Sequence, residues 1–334
     1  MKAAVVGAGS WGTALALVLH GNGHAVTLWS HEGEVVDTVR EVGENRVYLP
    51  GVSLPEDLGV TTSLEEALSG ASLVVSVSPA QFVHDVMGRA APFLESHATV
   101  VSASKGIEIS TRRRMDQVLG ALLPAQMMER FCVLSGPSFA AEVARKVPTA
   151  VVVASRSRPD RLQVQKAFSS DRFRVYTNPD VVGVELGGAL KNVIALAAGV
   201  AAGLGFGHNT LAALMTRGLA EITRLGVTLG AERETFAGLA GMGDLVLTCT
   251  GELSRNRTVG TRLGKGEGIK EILADMRGVA EGVRTAPAVR ALAREHGVEM
   301  PIVEEVNAIL EGTREPLDAV RSLMLRDPKP EGWS

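Results

Sequence analysis

The chain has 334 residues, 46% of them hydrophobic, and a formal net charge of −3. That length favours two domains over one and supplies apolar residues for two sizeable cores. Acidic and basic residues nearly balance and no basic tract stands out, which argues against nucleic-acid or membrane-surface partners.

The opening MKAAVVGAGSWG carries one Lys, a short apolar run and no small-residue cleavage site, so it does not read as a signal peptide. Short β-branched runs then recur at 3–6, 25–29, 73–77, 99–103, 131–134, 149–154 and 173–176. Helical periodicity lies between some of them, as at 80–94 and 115–122. Strand and helix in alternation predict a parallel sheet covered on both faces, with strands apolar on both sides. Arg112, Arg113 and Arg114 form the densest basic run and read as a solvated loop or helix start.

After YTNPD (176–180) the pattern changes: segments 181–204, 210–229, 283–295 and 302–310 all read as helices, and no convincing strand follows. The expected division is a domain over 1–178, a helical domain over 179–326 and a flexible tail over 327–334, where Pro and charge leave nothing to bury. The longest uncharged apolar segment, 193–207, is shorter than the ~20 residues a membrane span needs, so no stable membrane insertion is expected. Cys132 and Cys249 stand far apart, giving neither a disulfide framework nor metal-ligand spacing. No metal site is expected, and a soluble cytoplasmic enzyme is the simplest class these features leave.

Gly7, Gly9 and Gly12 spell GxGxxG directly between a predicted strand and a predicted helix, the context that motif requires. Gly7 permits the tight turn, Gly9 lets backbone approach a pyrophosphate, and Gly12 lets the helix close on the strand. The helix N-terminus, where Ser10 and Trp11 lie, offers free N–H groups to phosphates. A carboxylate about 20 residues on would bind an adenosine ribose. The second strand runs into Ser30, His31 and Glu32, with no acid at the strand end and no Arg either. Glu32 would repel a 2′-phosphate, and His31 can pack on adenine or touch the 2′ position; cofactor preference stays open.

Lys191 sits in GGALKNVIALAAGV, where its helical neighbours Gly187, Gly188, Ile194 and Ala195 include no carboxylate. It either snorkels out of a partly buried helix or is a desolvated ammonium, whose lowered pKa suits proton transfer near neutral pH. Asp244, after the Gly-Met-Gly turn of GLAGMGDLVLTCT, is either a helix cap or the partner Lys191 lacks locally. In SRNRTVG, Ser254, Arg255, Asn256 and Arg257 stand at a predicted helix start, which makes either an anion site or a pair of solvated arginines. Two strand-ending loops, SASKGIE with Lys105 and LSGPSFAAE with Gly136, Ser138 and Ala140, fall where open α/β sheets bind ligands. His208 and Asn209 read as the cap of the following helix.

In their order, GAGSWGTALA, SKGIE, LSGPSFAAEV, GGALKNVIALAAG, HNTLAALMTRGLAE, GLAGMGDLVLTC and SRNRTVG resemble the bacterial NAD(P)-dependent glycerol-3-phosphate dehydrogenases over nearly the whole chain. The resemblance implies an α/β fold: an N-terminal Rossmann domain with a doubly wound, mostly parallel sheet, and an all-α C-terminal domain like that of 6-phosphogluconate dehydrogenase. It implies NADH- or NADPH-dependent reduction of dihydroxyacetone phosphate to sn-glycerol 3-phosphate, feeding glycerophospholipid synthesis, in a homodimer. It implies Lys191 as proton donor and acceptor with Asp244 beside it, and substrate contacts at Lys105, Gly136, Ser138, Lys191, Asp244, Ser254, Arg255 and Asn256. Cofactor contacts are implied at Gly7, Gly9, Ser10, Trp11, Gly12, His31, Tyr48, Lys105, Ala140, Arg255, Val279 and Glu281. One departure from the family is Glu32, where many relatives carry Arg. Rival readings are a 3-hydroxyacid or 6-phosphogluconate dehydrogenase type of oxidoreductase, and a nicotinamide-dinucleotide sensor without catalysis.

Overall fold

Strands that are apolar on both faces need cover on both sides, and in the computed structural model they receive it. The structure describes residues 1–276, 278–328, 330 and 331. The chain divides into two units, one formed by 1–105 with 113–181 and the other by 106–112 with 182–334.

The first unit is a single 8-stranded sheet in the order β3-β2-β1-β4-β5-β6-β7-β8. Its strands are β1 Lys2–Val6, β2 Ala25–Trp29, β3 Gly59–Thr61, β4 Leu73–Ser76, β5 Thr99–Ser102, β6 Cys132–Ser135, β7 Thr149–Ala154 and β8 Phe173–Asn178. All pairs are parallel except β6 with β7, which matches the expected mostly parallel, doubly wound sheet. β1 lies between β2 and β4, with Val5 opposite Leu28 on one side and Val75 on the other. The strand order therefore reverses between β1 and β4, the place where open α/β sheets bind ligands.

Helices α1 Ser10–Gly21, α2 Gly33–Val42, α3 Leu64–Leu68, α4 Val83–Ala90, α5 Met115–Gly120, α6 Ala125–Met128, α7 Ala140–Ala144 and α8 Arg158–Phe168 belong to this unit. Four features differ from the sequence reading. β3 is too short to show any alternation, so nothing in its sequence marks it as a strand. The helical run expected over 80–94 is α4 flanked by 3₁₀ turns, the second of them carrying Pro92, which cannot extend the α-helical hydrogen bonding. β8, at a sheet edge, is not apolar on both faces: Arg174 and Tyr176 are exposed, with the guanidinium 5.1 Å from the ring centroid. Arg114 likewise is not solvated. It precedes α5 and pairs with Asp116 at 3.1 Å, both side chains mostly buried.

The second unit is helical: α9 Val181–Gly203, α10 His208–Thr228, α11 Arg233–Phe236, α12 Asp244–Thr250, α13 Arg255–Gly264, α14 Ile269–Ala274, α15 Glu281–Glu295, α16 Pro301–Leu310 and α17 Pro316–Met324. α9 is its core helix, with Leu190, Val193, Ile194 and Leu196 all buried. By length and composition α9 is apolar enough to cross a membrane, which corrects the shorter span inferred above; that inference counted only the uncharged stretch. Yet 89% of its most apolar window is buried. At the start of α10 the N-cap position is Gly207, and neither His208 nor Asn209 makes the expected capping bond, since both already lie within the helix. Of the expected tail, Asp327, Pro328, Pro330 and Glu331 belong to no regular element, and Lys329 and 332–334 lie outside the described residues.

Candidate active site

In the sheet unit the turn after β1 is built around its glycines. Gly7 takes φ +127°, and a Cβ there would meet the Val77–Ser78 backbone at 3.0 Å. A Cβ on Gly12 would lie 1.8 Å from Gly7 O, so only glycine lets α1 seat against the strand. A Cβ on Gly9 would meet nothing within 4 Å, which leaves the backbone open for a ligand to approach. α1 begins at Ser10 with no side-chain cap, leaving its first N–H groups for an anion. Trp11 Nε1 is buried without a hydrogen-bond partner among the described residues. An open glycine backbone, an uncapped helix start and an orphaned indole N–H fit a dinucleotide's phosphates.

Tyr48 ties this turn to the end of β2. Its carbonyl accepts from Ser10 Oγ at 2.5 Å, and its hydroxyl donates to Glu32 Oε1 at 2.6 Å. Partial burial and the neighbouring Glu32 carboxylate push the Tyr48 phenol up to about 12, so it stays a donor at any physiological pH. His31 is exposed beside them, its ring 6.2 Å from that of Trp29.

Further along the same edge, Gly136 O accepts from Lys105 Nζ at 2.9 Å and from Ser138 Oγ at 3.0 Å. Gly136 holds φ +134°, with room for no Cβ between it and Val151. Three of the residues singled out in the sequence thus meet where β5 and β6 end. Ala140 opens α7, the short helix after that loop.

In the helical unit Lys191 does not snorkel. It is 6% exposed, and its Nζ donates to Asp244 Oδ1 at 2.5 Å and to Thr248 Oγ1 at 2.7 Å. Asp244 is 1% exposed and opens α12 without capping it, so of its two readings the ion pair is the one found. Thr248 in turn donates its own proton to Asp244 O at 2.6 Å, which fixes its oxygen as an acceptor toward the ammonium.

Glycines bring these groups together. A Cβ on Gly187, one turn before Lys191, would meet Ala240 O at 2.4 Å. α9 therefore lies directly on the π-helical turn Leu239–Gly243 that leads into α12. Gly199 and Gly203 lie as closely on α13, where Gly260 and Gly264 return the contact. This crossing sets the start of α13. Ser254 is its N-cap, accepting from Arg257 N at 3.3 Å. Asn256 is buried and engaged, donating to Asn192 Oδ1 and accepting from Gly282 N, both at 2.9 Å. Arg255 is exposed on one side and lies against Gly278 on the other. The protein around it lowers its pKa, and the nearby Glu281 carboxylate opposes that shift. Val279 is half-buried between Gly278 and the start of α15 at Glu281. Among the described residues no group of His, Cys, Asp or Glu is placed to hold a metal.

Two residues on this site escaped the sequence reading. Thr248 stands one turn after Asp244 on α12, on the same face, and that spacing could have drawn it in. Asn192 directly follows Lys191, but nothing local marks its bond to Asn256 across 64 residues.

The family model for the NAD-dependent glycerol-3-phosphate dehydrogenase N-terminus matches residues 2–160, and that for the C-terminus of the same enzymes matches 180–321. The chain belongs to the NAD-dependent glycerol-3-phosphate dehydrogenase family. It is 58% identical over 330 residues to the glycerol-3-phosphate dehydrogenase [NAD(P)+] of Geobacter metallireducens, covering 99% of this chain and 98% of that one. The Geobacter sulfurreducens enzyme of the same name is 56% identical over 98% of both. The crystal structure of glycerol-3-phosphate dehydrogenase from Coxiella burnetii superposes with a TM-score of 0.93 at 40% identity, over 97% of this chain and 99% of that one. The dehydrogenase fold accounts for both units: the N-terminal match spans most of the sheet and the C-terminal match most of the helices.

Proposed function

We propose that this dehydrogenase reduces dihydroxyacetone phosphate reversibly to sn-glycerol 3-phosphate with NADH or NADPH. The observation that carries the reading is the buried Lys191–Asp244 pair, which places a charged donor on a largely apolar helix of a chain belonging to this family. When bound, the reduced dinucleotide supplies a hydride to C2 of the ketone. Gly7, Gly9, Ser10, Trp11, Gly12, His31, Tyr48, Lys105, Ala140, Arg255, Val279 and Glu281 would hold it. Residues 1–178 form the dinucleotide-binding domain, apart from the segment 106–112 that packs with the helices, and 179–326 the substrate and catalytic domain.

Lys191 gives one proton to the alkoxide oxygen as it forms at C2, completing the alcohol, and regains it from solvent. Asp244 and Thr248 keep its Nζ at one point, so that little reorganisation is left to the reaction itself. Lys105, held by Gly136 O, orients the substrate with Gly136 and Ser138. The start of α13 grips the phosphate: Ser254 and Asn256 set the backbone there and Arg255 supplies the charge. A charged grip remote from C2 fixes the ketone's orientation. The enzyme works as a cytoplasmic homodimer, and its product feeds glycerophospholipid synthesis.

The test is a substrate panel of dihydroxyacetone phosphate, 3-hydroxyacids and 6-phosphogluconate, followed by nicotinamide absorbance. Turnover confined to the triose phosphate and its alcohol is expected. Turnover of a hydroxyacid instead, or of nothing in the panel, would overturn the assignment.

A further inference from the structure

We propose that Glu32, held by Tyr48, is the residue that makes this enzyme prefer NADH to NADPH. The proposal deepens the dinucleotide reading above and rests on it. Glu32 stands 20 residues after Gly12, the spacing at which a carboxylate binds the adenosine ribose in this kind of sheet. In sequence it falls beyond the strand, but the fold brings it back. Ser30 Oγ donates to Glu32 O at 3.0 Å and accepts from Glu32 N at 3.1 Å, closing a tight turn directly after β2. The end of β2 is in turn bound to the glycine turn, since Gly7 N donates to Trp29 O at 3.1 Å.

Tyr48 is the second support. Its hydroxyl donates to Glu32 Oε1 while its carbonyl accepts from Ser10, the first residue of α1. The carboxylate is thereby tied to the helix start that receives the phosphates. With one oxygen engaged by Tyr48, the exposed Glu32 carboxylate keeps acceptor capacity for a ribose hydroxyl.

A 2′-phosphate would meet this carboxylate instead of a cation. Among the described residues no Lys or Arg lies within ion-pair distance of Glu32. Arg40, on α2, donates to Val60 O, and Arg46 lies 3.8 Å from Glu44. Glu34, in the first turn of α2, adds a second negative charge beside Tyr48. His31, next to Glu32 in sequence and likewise exposed, is a residue type that can carry a positive charge, but it stands beside the carboxylate and not in place of it.

The experiment measures dissociation constants of NADH and NADPH for the full-length protein without substrate, from the fluorescence of the bound reduced nicotinamide. NADH should bind about tenfold to a hundredfold more tightly, the range expected for one unpaired like-charge contact near a surface. Glu32→Gln, close in shape and on an exposed side chain, should shrink that ratio to about threefold or less by removing the charge alone. Glu32→Arg should reverse it. Tyr48→Phe should weaken NADH binding and leave NADPH nearly unchanged, because it frees the carboxylate without removing it. Equal binding of the two dinucleotides, or an unchanged ratio in Glu32→Gln, would overturn the assignment of Glu32 while leaving the dinucleotide site in place. Failure to bind either dinucleotide would overturn both.

Discussion

Lys191 and Asp244 form an ion pair with a 2.5 Å contact in which both side chains are buried. Such a pair holds its place only as a pair, because removing one partner strands the other's charge in a poor solvent. Lys191→Met should lower kcat by about 10²–10⁴, the usual contribution of a positioned proton donor. It should also cost about 3–5 kcal/mol of stability by removing the ammonium that compensates the buried Asp244 carboxylate. The double change Lys191→Met with Asp244→Asn should recover most of that stability and none of the turnover. Denaturant midpoints and steady-state rates on the three proteins separate the two effects; a double variant that regained activity would remove Lys191 from proton transfer.

Thr248 contributes an acceptor to the same ammonium. Thr248→Val, nearly equal in volume, should reduce kcat about tenfold or more, since a hydrogen bond to a charged group is worth about 1.5–3 kcal/mol. Thr248→Ser keeps the oxygen and should stay close to the parent. Equal losses in Val and Ser variants would mean that the methyl packing, and not the hydroxyl, is what matters at this position.

The glycines of α9 set tolerances that can be measured. Gly199→Ala would bring a Cβ to 2.1 Å from Arg257 O and should destabilise by about 1–3 kcal/mol or more. Gly21→Ala, at the last residue of α1 with nothing within 4 Å, should be neutral or stabilising by up to about 1 kcal/mol. Thermal melts of the two variants should move in opposite directions, or the second not at all.

Glu221 is buried on α10, where it accepts from the backbone N–H groups of Ile302 and Val303 at the start of α16. Burial pushes its carboxyl from its ordinary 4.5 up to about 7, with those two bonds opposing the shift. Between these values Glu221 holds its proton in the folded protein and not in the unfolded chain, so its own contribution to stability is fully present below 4.5 and is lost as pH rises through about 7. The loss amounts to about 3 kcal/mol across that window. Glu221→Gln should flatten this part of the stability–pH curve, read from denaturant midpoints on either side of it. A curve that kept its slope in the variant would assign the effect to another group.

The sheet was legible because its strands are continuous apolar runs, and the glycine turn because a strand and a helix flank it. β3 was not, since three residues cannot display a period, and β8 carries polar residues that only its edge position allows. In the helical unit long periodic helices such as α10 were plain, whereas α11 and α12 are too short to show a face. The odd placement of Lys191 could be read from its neighbours, but its choice of Asp244 could not: the two stand 53 residues apart, and it is Gly187, one turn before Lys191, that permits the approach. Asn256 shows the opposite limit. Its side chain, which resemblance suggests for the substrate, is engaged by Asn192 and Gly282, bonds that no local signal announces.

The segment 106–112 has a practical consequence for dissection of the molecule. It is separated in sequence from the rest of the helical unit, yet Ile107 is fully buried in that unit's core and Arg112 reaches Glu295 at 3.3 Å. A gene cut after residue 181 would therefore yield a C-terminal fragment with a hole in place of one apolar plug, and an N-terminal fragment with that isoleucine stranded in water. Supplying the missing heptapeptide in trans, or grafting it onto the fragment's amino end, would be the way to obtain the helices as an independent piece.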